Sequence, residues 1–359
     1  VPLSRQPYSD FIAWGFYKTK AFGVVPRFRC LACGKTFSVQ TFRVDYYAKR
    51  ILSYEDIAKR LSSCESLSAI GRALRSSTDT ISNRISRAAR QALALDSELA
   101  CSRHPREDLA ADGFESFCRS QYFPNNITLL VGSVSQFVYA ADHVTLRRKG
   151  AMRARQKARR TELERLFRAD PRGIEKSFAR MAIESLRVLS EEGRPALTLW
   201  TDEHRAYRRA ILRSPCTAAM ECEGRLIHRT ISSRAARTRD NPLFPVNYLD
   251  RELRKDLHEH TRETTCFGRN VNRQMERLAV YLYWHNFRKP HRARGDPRSN
   301  AEVAGYNAKC IGRVSKAMWR ERSWLTLTSL TESMRDTWLR IWPTPLRARR
   351  DYLPQFVCM

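Results

Sequence analysis

Three carboxylates stand where an acid is out of keeping with its neighbours: Asp112 in AADGFESF, Asp202 at the end of ALTLWTD, and Asp250 in NYLDRELRK. Burying an isolated carboxylate is costly unless a cation or metal neutralises it. Asp112 falls inside a strand-like run, and strand alternation puts it on the face of Phe114, opposite Gly113 and Glu115. Asp202 ends a short apolar run; the competing reading there is an ordinary helix cap. Convergence of the three acids would create an oxygen-rich site suited to Mg²⁺, or to Mn²⁺. Two such ions about 3.5–4 Å apart activate a nucleophilic oxygen and stabilise the leaving one in a phosphoryl displacement.

A second chemistry-bearing pattern is Cys30-x-x-Cys33 followed by Gly34-Lys35-Thr36-Phe37. Two thiolates on a tight turn make one knuckle of a zinc ribbon, and a second pair completes the tetrahedral site. Residues 1–29 hold neither Cys nor His, so Zn²⁺ binding is expected only if residues upstream of Val1 complete the ribbon. The other cysteines are scattered and read as reduced thiols.

The chain of 359 residues has 65 Lys+Arg against 37 Asp+Glu, a formal charge of +28. That excess attracts polyanions at long range, nucleic acid first among them. No stretch reaches the ~20 uninterrupted apolar residues of a spanning helix, and VPLSRQPYSDF lacks a signal-peptide core. The expectation is a soluble, intracellular (cytoplasmic) protein.

The elements that must position these residues follow from local pattern. Ser53-Tyr54-Glu55-Asp56 has capping-box spacing and opens the helix YEDIAKRL; SLSAIGRAL and SSTDTISNRISRAARQALAL follow. In the third helix Ile81, Ile85, Ala88 and Ala92 share one face, and Arg84, Arg87 and Arg90 lie elsewhere around it. Three short helices with a basic last member suit a helix-turn-helix whose final helix enters the major groove of duplex DNA, which makes the three arginines candidate DNA contacts. The alternative is a helical bundle with a solvated basic face.

Strands are expected in DLAADGFESF, ITLLVGSV and SQFVYAADHVTL, with Pro124-Asn125-Asn126 and Gly132-Ser133 as turns between them. Residues 147–190 read as helices, the first heavily basic; ALTLW and GRLIHRTI read as further strands. The polar loop SSRAARTRDNP leads to the helices NYLDRELRKDLHEHTRE and NVNRQMERLAVYLYWHNF. This order makes an α/β fold with strands between helices on a mixed sheet. Boundaries fall at 1–45 (partial zinc ribbon), 46–100 (helix-turn-helix), 101–290 (catalytic domain) and 291–359 (C-terminal helical tail with Trp319, Trp324, Trp338 and Trp342). The late tryptophans read as core or subunit contacts.

With these pieces in place, the chain resembles bacterial insertion-sequence transposases that have an RNase H-like catalytic domain and an acidic triad, and is most similar to the IS-one type. The matching pieces are RCLACGKTFS, the three-helix region, ADGFESF, TDEHRAY, HRTISSR, and YLDRELRK with HTRETTCFGRN, spread over most of residues 12–290. The resemblance implies an RNase H-like mixed sheet and metal-dependent strand cleavage and transfer at the ends of a mobile element. It also implies a homo-oligomer gripping double-stranded DNA, with Asp112, Asp202 and Asp250 as catalytic metal ligands. Three departures stand out. The first half of the ribbon is missing, and the third acid is Asp where Glu is usual. In addition, placing the RET segment without a gap puts Asn247 on the catalytic position. Asp250 is favoured because Arg251 reproduces an acid-Arg pair; Glu252 points elsewhere around the helix, Glu263 lies far along it, and a solvated Asp250 compensating Arg254 is the competing reading. His228 is read either as a phosphate contact or as a hydrogen-bonded structural histidine, and Arg262 as a phosphate contact. The rival function is a catalytically inactive DNA-binding protein or decayed transposase remnant. RNA binding ranks third, since no stacking-aromatic motif or glycine-rich clamp is present.

Overall fold

The computed structural model describes residues 10–100, 107–189, 196–261, 263–292, 294–322, 332–347 and 351–353. Strands β1 (Phe11–Thr19), β2 (Gly23–Cys30) and β3 (Thr36–Ser38) form a small antiparallel sheet. Phe11, Phe28 and Phe37 pack their rings together on it, with centroids 5.4 to 5.6 Å apart. Helices α1 (Tyr54–Leu61), α2 (Leu67–Ala73) and α3 (Thr78–Ala100) follow. The expected cap holds: Ser53 Oγ accepts from the Asp56 amide at 3.1 Å. Ile81, Ile85, Ala88 and Ala92 are all buried, as their spacing predicts.

The second sheet has five strands, β4 (Leu109–Phe117), β5 (Pro124–Gly132), β6 (Val138–Thr145), β7 (Leu197–Asp202) and β8 (Leu226–Ile231). Helices α4 (Ala154–Leu166) and α5 (Gly173–Leu189) intervene before β7, and α6 (Arg205–Arg213) and α7 (Pro215–Cys222) before β8. Sheet order is β6-β5-β4-β7-β8. The β4-β5-β6 meander is antiparallel, and β7 and β8 run parallel to β4. This mixed sheet flanked by helices is compatible with an RNase H-like fold.

One expected turn is instead strand. Pro124-Asn125-Asn126 starts β5, where Asn125 bonds Gln274 at 3.1 Å and His143 at 2.9 Å while both asparagines are buried. These partners outweigh the turn preference of the Pro-Asn-Asn sequence. Helix α8 (Phe244–Asp256) starts before Asn247, with Pro245 in its first turn, and ends before the HEH segment. Beyond it lie α9 (Val271–Phe287), the hairpin β9 (Pro290–Arg292) and β10 (Asp296–Ser299), then α10 (Asn300–Val303), α11 (Ala308–Arg320) and α12 (Glu332–Leu339). Trp319 meets Tyr283 edge-on at 5.5 Å, and Trp342 donates from Nε1 to the buried Asp142 at 3.1 Å. Both are core contacts; Trp324 lies outside the described residues.

One buried apolar cluster runs from Tyr54 and Ile70 through α3 into the large sheet and α9. Among the described residues, every cysteine is a free thiol and no helix is long and apolar enough to cross a membrane.

Candidate active site

Strand register brings the first two acids together. Leu109, Ala110 and Ala111 of β4 pair with Leu199, Trp200 and Thr201 of β7, so the next rung sets Asp112 beside Asp202 at the carboxyl end of β7. On the other face of β4 Gly113 makes room for Asn126, whose side-chain amide would lie 1.9 Å from a Cβ at that position. Asp112 Oδ1 accepts the Gly113 amide at 2.7 Å and the Tyr207 hydroxyl at 3.5 Å. Asp202 Oδ1 accepts the His204 amide at 2.9 Å, a local turn that leads into α6. The cap of α6 is His204, whose Nδ1 accepts the Ala206 amide at 3.3 Å, so Asp202 is not the helix cap that its position also suggested.

Asp250 comes from α8, which packs against β4 and β5 through Val246, Leu249 and Leu253. Its Oδ1 is buried and has no hydrogen-bond partner. Burial, followed by the charge of Asp112, pushes Asp250 up to about 8. Asp112 is pushed up to about 6, first by burial and then by Asp202, against the Gly113 amide and Arg237. Burial first, and then the charges of all three carboxylates, raise the Tyr207 hydroxyl well above the ordinary range. The acids thus share one electrostatic neighbourhood, with two cations at its edge: exposed Arg237, and Arg254, which lies over the Phe114 ring at 4.7 Å and donates to the Glu115 carbonyl at 2.9 Å.

The alternative third acids lie elsewhere. Glu252 is buried and bonded to Lys255 at 2.8 Å and to Lys289, while Glu263 is an exposed turn residue at φ 57°. Asn247 spends its amide on the Leu243 carbonyl at 3.0 Å. His228 shares a 2.9 Å hydrogen bond with Thr201 Oγ1, and burial lowers its pKa; this is the structural-histidine arrangement. Arg262 lies outside the described residues.

Among the described residues, no group of three His, Cys, Asp or Glu side chains is placed to hold a metal ion. The chemistry of Asp112, Asp202 and Asp250 is nonetheless the kind a hard divalent cation takes. The donors are all oxygen, two of the carboxylates are held above the usual range by burial and mutual repulsion, and one buried oxygen lacks a partner. At the other end of the chain Cys30 and Cys33 sit on a knuckle closed by the Gly34 amide on the Cys30 carbonyl at 2.9 Å. Hydrogen bonds from Cys33 and the Ala32 backbone lower the Cys30 thiol. Two thiols supply half of a zinc shell.

The basic face expected on α3 is turned inward. Arg84 and Arg90 are buried: Arg84 donates to the Arg50 carbonyl at 3.2 Å, and Arg90 pairs with Glu276 at 3.5 Å. Arg87 donates to the Tyr46 carbonyl at 2.7 Å with its guanidinium 4.4 Å from that ring. The reason is that α3 is covered by α1, α2, α9 and α11, so little of its circumference is left for solvent. Arginine stems pack well under such cover. Exposed cations lie instead around an open cavity of about 570 Å³ lined by Arg50, Arg72 and Arg75 together with Ser76, Ser77 and Thr78.

Tyr207 and Arg237 were not singled out from the sequence. Tyr207 was detectable, five residues after Asp202 and inside the first turns of α6; Arg237, one arginine in a basic loop, carried no signal. No family model matches the chain, and no curated protein matches it either.

Proposed function

We propose that this protein is a DNA transposase that performs metal-dependent strand cleavage and strand transfer at insertion-sequence ends. The observation that supports the reading is that Asp112, Asp202 and Asp250, drawn from two parallel strands and a helix, all act on the buried Tyr207 hydroxyl, and that one buried oxygen of Asp250 has no hydrogen-bond partner. Bound there, Mg²⁺ or Mn²⁺ would activate a nucleophilic oxygen and stabilise the leaving oxygen of an in-line phosphoryl displacement. Tyr207 holds Asp112 in place through its hydroxyl, the His204 amide fixes one oxygen of Asp202, and Arg237 meets the DNA phosphate at the rim. Duplex DNA is held electrostatically by the excess of cations, with Arg50, Arg72 and Arg75 taking the role first expected of Arg84, Arg87 and Arg90. Zn²⁺ at Cys30 and Cys33 belongs to the reading only where upstream residues complete the ribbon. A homo-oligomer bridging both element ends in the nucleoid completes it.

That no three His, Cys, Asp or Glu side chains among the described residues form a metal-binding group favours a second reading, a protein that binds DNA without cutting it. Incubating the protein with duplexes that carry the sequences flanking its own reading frame separates the two. Mg²⁺-dependent nicking that disappears in Asp112→Asn, with DNA affinity unchanged, is expected of the transposase; binding without nicking in the wild type sinks it.

A further inference from the structure

Beyond the acid site, the far edge of the large sheet holds a cavity of about 450 Å³ between the end of β6, the 167–173 loop, the first turns of α5 and Arg340–Pro343. Its lining includes Arg168, Lys176, Arg180 and Arg340. Two carboxylates oppose these four cations. Asp170 lines the wall and pairs with Lys176 at 2.5 Å, and Asp142 lies fully buried beneath it. His143 adds no charge at neutral pH, because burial lowers it to about 4. The formal excess is therefore two positive charges in a concave site.

The cavity is built rather than incidental. Asp142 accepts Nε and Nη2 of Arg180 at 3.0 and 2.7 Å and has Arg340 at 3.7 Å and the Trp342 indole at 3.1 Å. It therefore pins two guanidinium groups in the wall and leaves the Nη1 edge of Arg180 for a ligand. The first turn of α5 presses on β6, since a Cβ on Gly173 would lie 2.4 Å from Val144. Thr145 lines the cavity, and its buried hydroxyl has no hydrogen-bond partner. A cationic cup with pinned guanidinium groups and an unsatisfied hydroxyl suits a tetrahedral oxyanion with several acceptor oxygens.

We propose that this cavity binds a phosphate group, at a site separate from the three acids by the width of the intervening strands. The phosphate is either part of a DNA backbone or a free phosphate or pyrophosphate. The proposal does not rest on the transposase reading, because it is tested by binding alone.

The test uses the full chain with Arg168→Ala and Lys176→Ala combined, and separately Thr145→Val, each checked for an unchanged melting temperature. One arm titrates pyrophosphate and inorganic phosphate calorimetrically; the other measures affinity for a 30-base-pair duplex across a salt series. If the occupant is a free anion, the wild type binds pyrophosphate at one per chain, and the double variant binds it about tenfold more weakly. If the occupant is a backbone phosphate, free anions bind only weakly, while the slope of log affinity against log salt falls by roughly one to two in the double variant. Thr145→Val, which leaves every charge in place, weakens whichever binding is seen by several-fold. Variants indistinguishable from the wild type in both arms overturn the proposal, whatever becomes of strand cleavage.

Discussion

Asp142 and Asp250 both belong to the large sheet and its cover, yet they are treated in opposite ways. Asp142 is completely enclosed and met by Arg180, Arg340 and the Trp342 indole. Asp250 has a buried oxygen with no donor, and its nearest acidic neighbour repels it. An enclosed carboxylate with full partners holds structure, because losing it strands the cations around it. A carboxylate left short of partners beside other acids marks a place where the fold tolerates instability for a cation that arrives later.

The sharpest way to break this contrast is Asp250→Asn. It is expected to abolish Mg²⁺-dependent nicking, on the order of a thousandfold or more, while the metal-free protein melts no lower than wild type. Asp250→Glu, which restores the commoner acid of the resembling family, should keep a fraction of the activity. Normal cleavage by Asp250→Asn would remove the residue from the site. Asp142→Asn is expected to do the reverse, lowering stability by about 3 kcal/mol in chemical denaturation while any protein that remains folded still nicks DNA.

Glu252→Gln sharpens the comparison within one helix. On sequence grounds this position looked replaceable, pointing away from Asp250. In the fold it is buried and held by Lys255 and Lys289. The expected loss is about 1–3 kcal/mol of stability with cleavage retained at permissive temperature; loss of cleavage without loss of stability would make Glu252 the third acid instead.

The smallest effect is a pH slope. A carboxyl whose folded pKa is raised binds protons that the unfolded chain has released, so its contribution to stability falls as pH rises between the two values. For Asp250 that window runs from about 4 to about 8, and for Asp112 it closes near 6. His143 and His285, lowered to about 4, and His260, lowered to about 3, act oppositely, costing stability as pH falls below about 6.5. Between pH 6.5 and 8 Asp250 therefore stands nearly alone among these groups. In EDTA the wild type should lose a little stability across that interval and Asp250→Asn should not; saturating Mg²⁺ should flatten the wild-type curve. A wild-type curve already flat in EDTA would contradict the burial assigned to Asp250.

The parts that were legible in the sequence are those written in local pattern. The strand that carries Asp112, the cap at Ser53 and the apolar stripe of α3 each need only a few neighbouring residues, and each stands as expected. The parts that were not legible depend on what packs across. Arg84, Arg87 and Arg90 looked solvated because a helical wheel shows a polar face but not the neighbouring helices that cover it. Asn125 and Asn126 looked like a turn because their partners, Gln274 and the backbone gap at Gly113, lie far away in the chain. The adjacency of Asp112 and Asp202 depended on a parallel register that no local motif encodes.

The length of α3 has a consequence for how such a chain can be recombined. A helix of 23 residues extends ~34 Å, and this one starts at the Ser76–Thr78 rim of the open basic cavity and runs along α9, where Ser86 and Arg90 both meet Glu276. The N-terminal helices are therefore not an interchangeable cassette. A chimera joined after residue 75 would set a foreign α3 against an α9 that expects Ser86 and Arg90. A fragment cut at residue 95 would expose the stripe of Ile81, Ile85, Ala88 and Ala92. Exchange of the front end between related chains must take the matching α9 with it, so that α3 and α9 are inherited as a pair.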